Sequence, residues 1–152
     1  MKALSFFTVL SFFGLLSFSS PEELNCGHSG IKGHVYRVSG NQMPSPDQPP
    51  AAPAGMQTTL YIFELTNISQ VTREGSSMFY KSISTQPVKE IETKEDGSFK
   101  VKLNPGIYSL FVKRGDLFYS NLFDAENNIH PVEVKKGKWT EEDFKADYGA
   151  VY

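Results

Sequence analysis

From Ser98 to Leu103 the chain alternates: Phe99, Val101 and Leu103 are apolar, while Ser98, Lys100 and Lys102 are polar. A period of two puts the apolar set on one face of an extended segment and the polar set in water, as a half-buried antiparallel strand requires. Asp96-Gly97 ahead of the strand and Asn104-Pro105-Gly106 behind it supply the left-handed and fixed backbone angles of tight turns. The next segment, Ile107 to Arg114, carries Tyr108, Leu110 and Val112 on one side and Ile107, Ser109 and Phe111 on the other. Both of its faces are apolar, which suits a central strand.

The rest of the chain repeats this grammar. Ile31 to Val38 alternates, with Ile31, Gly33 and Val35 on one face and Lys32, His34 and Tyr36 on the other. Ser39 to Gln57 holds five of the nine prolines, which lack the N–H a ladder needs, and is expected as an extended surface loop. Thr58 to Leu65 is rich in β-branched and aromatic residues and reads as a buried strand. Thr66 to Ser77 loses periodicity; Met78 to Ser84 and Pro87 to Thr93 are strand candidates, and Pro87 assigns the second to a strand start or a sheet edge. Leu117 to Phe123 reads as an aromatic strand, Asp124 to His130 as a polar loop, and Pro131 to Lys135 as a strand. Lys136-Gly137-Lys138 reads as a turn, and Trp139 to Tyr148 as the closing strand. Short strands spaced roughly 8–12 residues apart give an all-β chain, a two-layer antiparallel sandwich of about seven strands.

The first 20 residues have a basic start at Lys2, an apolar run from Ala3 to Phe18 and a small-residue exit at Ser19-Ser20. That is the composition of a secretory signal peptide. The expected organisation is therefore a signal peptide over 1–20, a flexible tail over 21–30 and a sandwich over 31–152. The destination is periplasmic or secreted, with no transmembrane span in the mature chain. Loss of Lys2 takes the formal charge from −2 to −3, so no basic stripe is left for a nucleic-acid backbone. The single cysteine, Cys26, follows the apolar run and is a candidate for lipidation, which would make an outer-membrane lipoprotein. Asn25 and Glu23 stand where a lipidation signal has small and apolar residues, which favours a free thiol.

Candidate chemistry is sparse. His28, His34 and His130 lack the close pairing of a zinc site, and neither a metal nor another cofactor is expected. The acids Glu95-Asp96 and Glu141-Glu142-Asp143 read as solvated charge. The loop Asp124-Ala125-Glu126-Asn127-Asn128 is the nearest approach to a calcium loop, without its Asp-x-Asp-x-Asp-Gly order. Asn67-Ile68-Ser69 is a glycosylation sequon only in a eukaryotic host. The aromatic content exceeds what one small core demands, which makes Tyr119, Phe123 and Trp139 candidates for a surface platform that binds sugar or peptide.

These segments carry a family likeness. Ile31-Lys32-Gly33-His34-Val35, Thr59-Leu60-Tyr61-Ile62, Thr93 to Phe99 and Leu103-Asn104-Pro105-Gly106-Ile107-Tyr108-Ser109-Leu110 resemble the carboxypeptidase regulatory-like domain. Gly40 to Pro44, Tyr119 to Asp124 and Pro131 to Val134 are similar to the small exported bacterial form of that group. The resemblance implies a transthyretin-like, or prealbumin-like, sandwich without catalytic residues. Hydroxyisourate hydrolases share that general sandwich but end in Tyr-Arg-Gly-Ser; here the chain ends Tyr148-Gly149-Ala150-Val151-Tyr152, so that activity is not carried over. The expected role is a non-catalytic module that contacts an envelope or surface partner. The alternative is a carbohydrate- or peptide-binding domain that uses exposed aromatics.

Overall fold

A computed structural model describes residues 29–43 and 52–151. The expected signal peptide, Cys26, His28 and most of the expected tail lie outside the described residues. The strands are β1 (Gly30–Asn41), β2 (Ala54–Gly55), β3 (Thr59–Glu64), β4 (Val71–Arg73), β5 (Phe79–Ile83) and β6 (Pro87–Glu92), followed by β7 (Ser98–Lys102), β8 (Gly106–Arg114), β9 (Leu117–Tyr119), β10 (Pro131–Val134), β11 (Trp139–Glu141) and β12 (Phe144–Val151). One 3-10 turn, Ile68–Gln70, is the helical element among the described residues. Within them, no helix is long and apolar enough to cross a membrane.

The strands form a five-stranded and a seven-stranded sheet packed as a two-layer sandwich. In the larger sheet β8 is central, flanked by β3 on one edge and by β9 and β10 on the other. Every pair in it is antiparallel. β6 is its edge strand, where Pro87 costs no ladder bond to an outer neighbour. The smaller sheet is built around β1 and is not antiparallel throughout. β7 and β2 pair antiparallel with it, but β11 and β12 run parallel to it. Strands from opposite ends of the chain meet here, so no hairpin constrains their direction.

The turns expected before and after β7 are present. Gly97 has φ +81, and a Cβ there would overlap the Val35 carbonyl oxygen. At the other corner the Tyr108 hydroxyl donates to the Asn104 carbonyl at 2.9 Å, tying the Asn104-Pro105-Gly106 turn to β8.

Two apolar clusters result. Between the sheets, Ile31, Val35, Phe99, Val101, Phe144 and Ala146 face Leu60, Ile62, Leu110, Val112, Tyr119, Val132 and Val134. The second cluster covers the other face of the large sheet, where Phe63, Tyr80, Phe111 and Ile129 are buried. Edge-to-face contacts order it: Phe63 meets Phe111 and Phe118, each at 5.6 Å between centroids, and Tyr80 meets Phe111 at 5.9 Å. The 3-10 turn and the Asp124 to His130 loop form its lid, held by Ile129 N–H to Thr66 carbonyl at 2.7 Å and Ile68 N–H to Asn127 carbonyl at 3.0 Å. The aromatic surplus in the sequence is largely consumed by this second cluster.

Candidate functional site

The outer face of the small sheet carries lysines, carboxylates, a histidine and a tyrosine around one cleft, and its shape begins with Gly33. A Cβ at Gly33 would lie inside the van der Waals shell of the Glu142 carbonyl oxygen. Glycine therefore lets the segment between β11 and β12 lean against β1. Glu142 N–H donates to the Lys32 carbonyl at 2.9 Å, and His34 N–H donates to the Asp143 carboxylate at 2.9 Å. The Asp143 side chain replaces a ladder carbonyl where the strand breaks, satisfying a backbone donor.

Three consecutive acids are thereby sent in three directions. Glu141 points outward to Lys32 Nζ at 2.6 Å. Glu142 reaches His130 Nε2 at 3.0 Å, where the imidazole is only 4% exposed. Asp143 holds the His34 backbone and lies 3.6 Å from its Nδ1. The sequence reading of this run as solvated charge holds for Glu141 and is corrected for Glu142, which packs against a buried ring. His130 itself was expected in a polar loop. Its backbone takes φ +42, its ring stacks on Phe144 at 4.9 Å and 7°, and its Nδ1 has no hydrogen-bond partner among the described residues.

Around this junction lies an open cleft of about 590 Å³, with walls that include Lys32, His34, Tyr36, Ser98, Lys100 and Asp143. A second cleft of about 320 Å³, lined by Trp139, Thr140 and Glu133 among others, shares Glu142 with it. His34 and Tyr36, two residues apart on β1, carry near-parallel rings 5.6 Å apart. Ser98 sits opposite His34 in the ladder. However, both its side chain and its N–H bond Asp96, which draws the Asp96 carboxyl below its usual range. Ser98 and Asp96 thus form a turn staple beside the His34–Asp143 pair.

The proposed platform residues are not brought together. Tyr119 is 3% exposed in the intersheet core, and its hydroxyl bonds Asp147. Alternation on β9 turns it inward, so a surface role for Tyr119 is corrected to core packing. Phe123 packs against the outer cluster of the large sheet. Trp139 lies on the small sheet, half-buried, with Lys100 Nζ 4.4 Å from its ring centroid. The loop at Asp124 is closed on itself: its carboxylate accepts from Asn128 N–H at 2.7 Å, Asn128 Nδ2 at 2.8 Å and Glu126 N–H at 3.0 Å. The Asn128 side-chain bond leads the effects that lower its carboxyl pKa. Asn67, the sequon residue, is engaged likewise, donating to the Glu126 carbonyl at 2.8 Å and accepting from Ser69 N–H at 3.1 Å. Among the described residues, no group of three or more His, Cys, Asp or Glu side chains is gathered for a metal ion.

The sequence reading placed Gly33 on the inner face of its strand and drew no site from it, although a glycine inside an otherwise regular strand is a signal of close backbone approach. What approaches it was not legible. A scan against protein-family models finds no match, and a search of curated proteins finds none either.

Proposed function

We propose that this chain is a non-catalytic sandwich module, exported to the bacterial envelope, that holds a partner protein or surface component against the outer face of its small sheet. The carrying observation is the 590 Å³ cleft on that face, within the size range of binding sites and built mainly on strands, with Glu142 and Asp143 entering from the break between β11 and β12. Its walls combine cations, carboxylates and ring edges on a sheet whose inner face belongs to the buried core, which anchors the backbone that carries them. The resemblance to the carboxypeptidase regulatory-like domain and the signal-like first 20 residues support a holding role outside the cytoplasm. The Asp124 to His130 loop has its own task as a lid on the outer cluster.

The second reading, a carbohydrate- or peptide-binding domain, is favoured by Tyr36 and Trp139, both half-buried beside lysines on this face. Site-specific photo-crosslinking tests the general proposal. A photoreactive phenylalanine analogue at Tyr36 is expected to capture an envelope component that the same analogue at Val88, exposed on β6, does not capture. Equal capture from both positions, or none from Tyr36, would reject this face as the contact surface.

A further inference from the structure

The cleft on the small sheet is walled by three carboxylates, Glu141, Glu142 and Asp143, against two ammonium groups, Lys32 and Lys100. Lys102 and Lys145, exposed on β7 and β12, are not among its walls. Most of the wall charges already have a partner: Glu141 pairs with Lys32 at 2.6 Å, Lys100 lies over the Trp139 indole, and Glu142 turns to the buried His130 ring. Asp143 is the exception. Its Oδ1 accepts from His34 N–H at 2.9 Å, while its Oδ2 has no hydrogen-bond partner among the described residues. Its side chain is 53% exposed, and within those residues it forms no ion pair with a lysine or an arginine.

Beside that carboxylate stands a ring surface. His34 and Tyr36 point outward from β1 into the cleft, half-buried, and their near-parallel rings stack 5.6 Å apart. The Tyr36 phenol likewise has no hydrogen-bond partner among the described residues. A carboxylate next to a ring face is complementary to a planar cation. The guanidinium of arginine uses both, because its face lies on an aromatic ring while its N–H edge donates to the carboxylate. A lysine ammonium is a compact, strongly hydrated charge and gains less from the ring.

Resting on the binding-module reading, we propose that the partner is a protein that presents an exposed arginine to this cleft, its guanidinium stacked on Tyr36 and paired with Asp143 Oδ2. A cation there offsets the excess of carboxylates in the walls. The same carboxylates repel an acidic partner segment, so they set specificity as well as attraction.

The test is an NMR titration of the whole chain with short, end-blocked Gly-Ser peptides that differ only at a central arginine, lysine, citrulline or glutamate. The arginine peptide is expected to shift the amides from Lys32 to Tyr36, to bind about tenfold tighter than the neutral, isosteric citrulline peptide, and to weaken as salt rises. The lysine peptide should fall between these two, and the glutamate peptide should not bind. Asp143→Asn should lose about tenfold for the arginine peptide at an unchanged unfolding temperature, since its amide oxygen still accepts from His34 N–H. Tyr36→Leu, which leaves the Asp143 bond untouched, should lose about fivefold. Absence of arginine binding, equal binding of the citrulline or the lysine peptide, preference for glutamate, or variants that bind as the parent does would each overturn the arginine assignment. If the arginine peptide fails while the photoreactive analogue at Tyr36 still captures an envelope component, the module reading stands and the arginine assignment alone falls. If Tyr36 captures nothing, the face itself is rejected.

Discussion

Replacement of Glu142 by alanine tests the buried junction most directly. The His130 imidazole is 4% exposed, its Nδ1 is already without a hydrogen-bond partner among the described residues, and its Nε2 relies on Glu142 at 3.0 Å. Alanine leaves both ring nitrogens buried and unpaired, and such a group costs about 1–3 kcal/mol. The Glu142 side chain is itself 28% exposed, so its removal also relieves some desolvation. The expected loss therefore falls in the lower half of that range, about 1–2 kcal/mol. Glu142→Gln keeps an acceptor oxygen in place and should cost less than about 1 kcal/mol. The backbone bond from Glu142 to Lys32 is common to all three proteins.

Urea unfolding followed by tryptophan fluorescence reads this well, because Trp139 is the one tryptophan in the chain and belongs to the same sheet. A companion change, His130→Phe, keeps a ring on Phe144 and removes both nitrogens, so Glu142→Ala should cost little in that background. A double-mutant coupling below about 0.5 kcal/mol, or a Gln variant as unstable as the Ala variant, would refute the reasoning.

Phe111→Ala should cost about 3–5 kcal/mol, comparable with Leu110→Ala on the opposite face, and matched denaturation curves check whether both faces of the large sheet are core. A cheap Phe111 change would reduce the outer cluster to decoration. The Asp124 carboxyl is held below its ordinary range, so its stabilising effect is present above that range and lost as pH falls through the depressed value. Asp124→Asn should therefore flatten the acid side of a midpoint-against-pH curve below about pH 4 and leave its neutral slope unchanged. Tyr80 behaves oppositely: burial raises its phenol above 10.0, so stability is present below that value and lost as pH rises beyond it. Tyr80→Phe should remove this alkaline loss while costing about 0.5–1.5 kcal/mol at neutral pH for the hydroxyl bond to Ser120 carbonyl, read from denaturation at both pH values.

Strand placement was largely legible from alternation. β7 and β8 lie where Phe99-Val101-Leu103 and Leu110-Val112 place them, and Pro87 marks an edge. Other features were hidden. Leu117 to Phe123 forms a strand only as far as Tyr119, because Phe123 leaves the ladder to pack against the lid. The closing segment from Trp139 breaks at Glu142-Asp143, where a carboxylate substitutes for a backbone acceptor.

Local pattern therefore dictated which side chains of each strand point together and where the chain turns, since a period of two and the backbone limits of Gly and Pro operate within a few residues. Tertiary packing decided the rest: the parallel pairing of β1 with β11 and β12, the burial of Phe111 beneath a lid, and the division of Glu141, Glu142 and Asp143 among three partners. Each of these joins residues far apart in the chain, and alternation tells a residue which way to face but not what it will meet.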